Sequence, residues 1–413
     1  MRNIFQKKYN FPTIFIVFGL FFSFVLFLSI PTTYDYAKLE NKLLDTIESN
    51  FSFKIKNIDN ISYRFVPSPH LTMENSELFL SENINSKITN LKNLKIYISL
   101  IDLYKKEINI KKISITNSNF EIDNKRLQLI ISHINSKKIN NLTIKNSKFF
   151  YNTAKGETSI ISPIKNFKYF TNLKSNQKNL NIDGNIFDTD YVFRWKKLLK
   201  NEHQSNFSLK FKSPKILFQN NLDLDNQNQK IGELSSTFLN YKFIVNYLYD
   251  DKNITLNIKD NPNYFFSLDS NISLDPFYFE ANTNLKKQKI NELIEILLTY
   301  YFNNKGKLHP NLNGKLNVNL ENIENAYLNS GLLNFNFYNS DVKLTSNFLN
   351  IRKIGKIKSV DHFFYNNGQS TIFASNLEIT IENQEEFYRR FLVPKKNRVK
   401  LNKIYLILEK DIY

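Results

Sequence analysis

The sequence predicts a mostly β protein with few helices, in which an N-terminal transmembrane helix precedes a curved, repeated antiparallel β-sheet forming a groove or taco-like structure. Three observations carry this expectation. An uncharged apolar run of helix length stands near the N-terminus, from Phe11 to Ile30. Beyond Asn50, apolar and polar residues alternate with period two, the pattern of strands with one dry and one wet face. Stretches with the helical period are rare.

The run "FPTIFIVFGLFFSFVLFLSI" (11–30) is long enough to cross a bilayer as a helix. Pro12 falls in the first turn, where a missing N–H costs least. Phe11, Ile14, Phe21, Phe22, Val25 and Leu28 are the expected anchor residues. A cleaved signal peptide would carry a shorter apolar region and a small-x-small site. This run leads instead into "SIPTTYDY", so an uncleaved single-pass anchor is expected. Arg2, Lys7 and Lys8 make residues 1–10 a basic tail, which assigns the N-terminus to the cytoplasm and the bulk to the far side.

Residues 31–125 read as a first module. "TTYDYAKLENKLLDTIESNF" opens on capping residues and spaces Tyr36, Leu39, Leu43 and Ile47 as one amphipathic helix. The period then changes to two through Phe51, Phe53 and Ile55, through Ile61, Tyr63 and Phe65, and through Leu94, Ile96 and Ile98. "SLIDLYKKE" reads as a short helix, after which Ile108, Ile110, Ile113 and Ile115 resume the alternation. Pro67 and Pro69 interrupt a strand pattern in a chain with ten prolines in 413 residues. Proline cannot donate to a ladder, so the two mark a strand end and a turn of the chain.

Residues 126–413 read as an extended β region, with short helices near 191–202 ("YVFRWKKLLKNE") and 285–303 ("LKKQKINELIEILLTYYF"). "KISITNSNFEI" (112–122) and "NLTIKNSKFFY" (141–151) share an alternating strand, Asn-Ser at a turn and Phe opening the next strand. Two readings fit: stacked repeats sharing one apolar face, or coincidence in an Asn-rich chain.

The net charge of +18 invites a polyanion partner, but the basic residues are overwhelmingly lysine. Asn, Ile, Phe, Tyr and Lys all have A/T-rich codons, so coding bias accounts for much of the charge, and no nucleic-acid partner is expected. Cysteine is absent, which removes disulfides, thiolate metal sites and thiol nucleophiles. His70, His133, His203, His309 and His362 are scattered, Asp361-His362 lacks a nucleophile elbow, and nine glycines form no phosphate loop. "NIDGNIFDTD" (181–190) lacks calcium-loop spacing and reads as a turn. Neither an enzyme, a metal nor a cofactor is expected.

Few helices are available to cover so many one-faced strands. Either two sheets close on each other, or a curved sheet leaves a groove suited to acyl chains, each buried CH₂ contributing about 0.8 kcal/mol. The candidate groove residues are Ile113, Ile115, Leu142, Ile144, Phe207, Leu209, Phe211, Leu316, Val318, Leu320, Phe335 and Phe337.

The order of elements over about residues 5–125 adds a resemblance. A membrane helix, then "YDYAKLENKLLDTIESNF", then "VPSPHLTMENSELFL", then "LKNLKIYISLIDLYKKEINIKKISITNSNFEI" resembles the N-terminal region of the AsmA family. That region is similar to the chorein-like start of bridge-type lipid-transfer proteins. "LNGKLNVNLENI" and "NLKKQKINELIEILL" look like units of AsmA C-terminal parts. The resemblance implies an inner-membrane-anchored periplasmic protein of Gram-negative bacteria that carries phospholipid along a hydrophobic groove for outer-membrane homeostasis. Its implied partners are phospholipid, the inner membrane and other envelope proteins. The alternative is a non-transporting scaffold that assists outer-membrane protein assembly.

Overall fold

The computed structural model describes residues 11–34, 40–51, 53–66, 68–80, 83–105, 108–127, 130, 141–153, 155–199, 204–213, 215–223, 231–238, 241–250, 252–259, 265–287, 308–366 and 371–412. The chain divides into two compact units, Met1–Phe150 with Pro163–Ile182, and Tyr151–Ser162 with Asp183–Tyr413. Strands dominate both, and the described α-helices are few.

In the first unit the described elements open with α1 (Phe11–Ser29), a 3-10 turn (Ile30–Thr33) and α2 (Glu40–Phe51). Leu43, Ile47 and Phe51 of α2 lie four residues apart on one stripe and are at most 2% exposed. Phe51, expected to open a strand, ends this helix because its spacing from Ile47 keeps it on that stripe. The expected helix start, with Tyr36 and Leu39, lies outside the described residues.

The next strands are β1 (Phe53–Lys56), β2 (Asn60–Arg64), β3 (His70–Leu80), β4 (Asn83–Ile98), β5 (Ile110–Thr116), β6 (Asn119–Ile122) and β7 (Asn141–Asn152). The expected short helix is α3 (Leu100–Tyr104), between β4 and β5. Ile108, expected in a strand, precedes β5. Pro69 sits in the gap between Arg64 and His70, where the ladder stops and restarts. Pro67 lies outside the described residues.

β3 pairs antiparallel with β1, β2 and β4, β4 with β5 and β6, and β5 runs parallel to β7. This register lines up two apolar rows. Tyr63, Leu71, Ile96, Ile113 and Leu142 stand opposite one another from strand to strand, and Ile61, Met73, Leu94, Ile115 and Ile144 form the next row. Apart from Ile61, none is more than 7% exposed. The intervening row is Ser62, Thr72, Lys95, Ser114 and Thr143, so period-two alternation has become one apolar and one polar face.

The Asn-Ser segments occupy equivalent places. Asn117 and Asn146 adopt φ of 57° and 48°, with Ser118 and Ser147 buried behind them. β3 carries a third copy, "LTMENSELF", in which Asn75 has φ 48° and Ser76 is buried. Ser147 donates to the Lys145 carbonyl at 2.9 Å and accepts from the Ser118 amide at 3.2 Å. Each hydroxyl lies where a left-handed asparagine interrupts the ladder.

In the second unit the strands are β10 (Thr189–Leu198), β11 (Gln204–Phe211), β12 (Ile216–Asp223), β13 (Ile231–Phe238), β14 (Tyr241–Tyr249), β15 (Asn253–Ile258), β16 (Phe266–Leu274), β17 (Phe277–Lys286), β18 (Gly314–Glu321), β19 (Leu328–Tyr338), β20 (Asp341–Ile351), β21 (Gly355–Asn366), β22 (Thr371–Ile381) and β23 (Lys403–Ile412). β8 (Thr158–Asn172) and β9 (Gln177–Ile186) precede them and contribute to both units. From β10 to β23 each strand pairs with the next, antiparallel except for the parallel β17–β18 pair. Growth by one strand at a time makes this unit read as a solenoid, in place of the expected taco-like groove. A short helix, α4 (Gln384–Arg390), stands before β23, its N-terminus capped by the Asn383 side chain accepting from the Glu386 amide at 3.0 Å.

The helix expected over 191–202 is a correction: residues through Leu198 form β10. Tyr191, Phe193 and Trp195 alternate with Val192, Arg194 and Lys196, and aromatic residues favour a pleated half-buried surface over a helix. The helix expected over 285–303 begins on Leu285 and Lys286, which belong to β17, and its residues from 288 on lie outside the described ones. Of the 181–190 segment expected to be a turn, only Phe187–Asp188 is one; residues 181–186 end β9 and residues 189–190 open β10.

Candidate apolar face and membrane helix

The candidate groove residues fall into two groups with different surroundings. In the first unit Ile113 stands opposite Leu142 and Ile115 opposite Ile144, and all four are between 3% and 6% exposed. That face is sealed.

In the second unit Phe207, Leu209 and Phe211 of β11 stand opposite Trp195, Phe193 and Tyr191, and Leu209 also faces Phe218 of β12. The rings of Phe193 and Phe207 stack at 6.2 Å. Leu316, Val318 and Leu320 stand opposite Phe335, Leu333 and Gly331 on β19. Val318 and Leu320, 4% and 2% exposed, belong to a core with Phe243, Val245, Ile258, Phe266 and Leu285. Leu316, Phe335 and Phe218 pack against this core while keeping part of their surface open, and Phe337 lies 5.3 Å from the Phe279 ring. Phe207, Leu209, Phe211 and Phe337 are likewise partly exposed. An apolar face of partly open side chains therefore runs across successive strands, deepest under β14–β18.

Two glycines explain how aromatic rings lie flat on this face. A Cβ on Gly232 would stand 2.6 Å from the Tyr247 hydroxyl, and one on Gly314 would stand 2.4 Å from the Phe279 ring. Each glycine gives its ring room across the ladder. Phe243, Val245, Ile258, Phe266 and Leu285, the centre of the core, are absent from the residues expected on sequence grounds. The alternation in "KFIVNYLY" and "ITLNIK" is the signal that finds the first three.

α1 is long and apolar enough to span a membrane, with a mean hydropathy of 2.3 and 6% of the window buried, properties an anchor shares with a signal sequence. Phe21 and Phe22 are more than 60% exposed, and Val25 and Leu28 are partly exposed. The side chains of Phe11 and Ile14 lie outside the described residues, as does the basic tail. The C-terminal end of α1 is held by the first unit. The Tyr63 hydroxyl donates to the Leu28 carbonyl at 3.3 Å, the Tyr104 hydroxyl donates to the Phe27 carbonyl, and the Phe27 and Tyr104 rings stack at 4.8 Å. Burial first, then the neighbouring Tyr104, pushes the Tyr63 hydroxyl up to about 12.

Among the described residues no three His, Asp or Glu side chains converge to hold a metal. A shallow cavity of about 330 Å³ opens at β15–β17, lined by Asn257, Lys259, Ser267, Asp269 and Asn282 among others. His362 Nε2 donates to the Val342 carbonyl at 3.0 Å and the Asp361 carboxylate accepts from the His362 amide, so the Asp361-His362 pair is spent on the backbone.

No protein family matches the chain, and no curated protein gives a significant match. Among solved structures, the crystal structure of Sex pheromone staph-cAM373 precursor is similar at 11% identity, over 78% of this chain and 95% of that one, with a TM-score of 0.14. A likeness that weak carries no argument about fold or function.

Proposed function

We propose that this chain is an inner-membrane-anchored periplasmic protein of AsmA type that binds phospholipid acyl chains along the apolar face of its second unit and transfers them toward the outer membrane. The observation that carries this reading is the contrast between the two apolar faces. That of the first unit is closed, whereas Phe207, Leu209 and Phe211 on β11, Leu316 on β18, and Phe335 and Phe337 on β19 keep exposed surface. Partly open aromatic and aliphatic side chains above a dry core offer acyl chains a surface without the protein losing its own packing. Each CH₂ covered would contribute about 0.8 kcal/mol. The exposed apolar α1 supports the anchor, and its grip by Tyr63 and Tyr104 supports a first unit seated at the membrane.

The test is lipid mass spectrometry on the intact chain, extracted from membranes and washed free of bulk lipid, beside a Phe335→Ser/Phe337→Ser variant. These positions are partly exposed, so the variant is expected to fold. Acidic replacement of Val318 or Leu320 would instead break the core. Phospholipid retained by the parent at a fixed ratio and lost from the folded variant supports the reading. Equal lipid in both places it around α1 alone.

A scaffold for envelope-protein assembly is the second reading, favoured by the sealed first unit and by the exposed apolar strand β23. It requires protein partners in place of lipid.

A further inference from the structure

β23 is an edge of a kind that soluble chains usually blunt. Among the described residues it pairs with β22 and with no other strand. Tyr405, Leu406, Ile407 and Leu408 are 68%, 47%, 69% and 50% exposed, so both faces of the strand, as well as its outer edge, are open and apolar. Neither lysine nor proline interrupts the stretch from Ile404 to Leu408.

We infer that the occupant of this edge is β23 of a second copy of the chain, paired antiparallel about a two-fold axis. Symmetry restricts the register. Bonded and non-bonded pairs alternate along an antiparallel ladder, so a two-fold axis normal to the sheet must pass through a residue opposite itself. Centred on Leu406, the pairing sets Ile404 against Leu408, Tyr405 against Ile407, and Lys403, which within the chain already donates to Glu378 at 3.0 Å, against Glu409, this pair occurring twice by symmetry. Every apolar residue then meets an apolar residue, and opposite charges close both ends. Centring on Ile407 sets Lys403 against Asp411 but leaves Ile404 against Lys410 and Tyr405 against Glu409. Centring on Tyr405 sets Lys403 against Ile407 and leaves no charge pair. The sequence of the strand is self-complementary in one register.

This inference stands independently of lipid binding. A ladder this short buries less than the ~1,200 Å² typical of stable interfaces, so the association is expected to be weak and is best read by cross-linking in place. The absence of native cysteine makes single-cysteine probes unambiguous. The intact chain in its membrane would carry Leu406→Cys, Ile404→Cys, Leu408→Cys or Ile407→Cys, and be oxidised mildly. Directly opposed residues lie within disulfide reach, and residues four apart along the ladder do not. A disulfide dimer is expected from Leu406→Cys alone and from Ile404→Cys mixed with Leu408→Cys, with little from either of the latter by itself. Exposed edge positions tolerate cysteine, and circular dichroism checks that each variant is folded. Equal cross-linking at all four positions would mean indiscriminate edge sticking and would overturn the register. Dimer from Ile407→Cys in place of Leu406→Cys would overturn it too. No dimer, or cross-linking to a different protein, would overturn self-pairing.

Discussion

Asparagine does in this chain what glycine does in most. Seven of the thirteen non-glycine residues with positive φ among those described are asparagine, and one described glycine, Gly156, shares that conformation. Asparagine tolerates the left-handed region better than other side chains, so an Asn-rich composition read as coding bias also supplies the interruptions of the ladder. Asn146→Ala is therefore expected to lower stability by about 1 kcal/mol, and Asn146→Gly to leave it nearly unchanged, as read by thermal melts. Tyr169 is fully buried, and burial pushes its hydroxyl up to about 12. Its folded value lies above the unfolded value of 10, so its contribution is whole below pH 10 and is lost as pH climbs toward 12. That contribution is roughly 2–3 kcal/mol. Melting temperatures of the parent should fall more steeply over that window than those of Tyr169→Phe.

Elements here are decided by which stripe meets a core. α2 holds its place through Leu43, Ile47 and Phe51, and Leu43→Ala should cost roughly 2–5 kcal/mol in chemical denaturation, the range for buried leucine truncations. At β21–β22 the ladder comes so close that a Cβ on Gly355 would stand 1.9 Å from the Thr380 carbonyl oxygen. Gly355→Ala should separate these strands locally and lower the melting temperature, with amide exchange quickening at Lys356 and Ile379–Ile381. An equal melt for Gly355→Ala would mean that the pairing relaxes without cost. At β10, read from the sequence as a short helix, the cross-strand partners Phe207 and Leu209 claim Trp195 and Phe193 for a sheet.

For the chain entire, the exposed α1 and its tyrosine contacts predict that the protein stays with membranes through alkaline carbonate washing. Release into the supernatant at full length would exclude an anchor, and release at a length shortened by about the first 30 residues would indicate a signal sequence. The apolar face of the first unit is sealed and that of the second is partly open, a division that alternation alone does not reveal.

Period-two alternation, the apolar run and the short helix at Leu100–Tyr104 were legible because local pattern reports the face a residue will use. Alignment of the Asn-Ser segments left repetition and coincidence both open, and the register that sets Ile113 against Leu142 and Ile115 against Ile144 comes from the structure. The third copy at Asn75-Ser76 was hidden because glutamates flank it, and its equivalence rests on the register of β3 against β4. Exposure was decided in three dimensions. Ile113 and Phe335 look alike in a strand pattern, yet one is sealed and the other partly open, because burial depends on what lies over a face, and a residue's neighbours in the chain do not encode that.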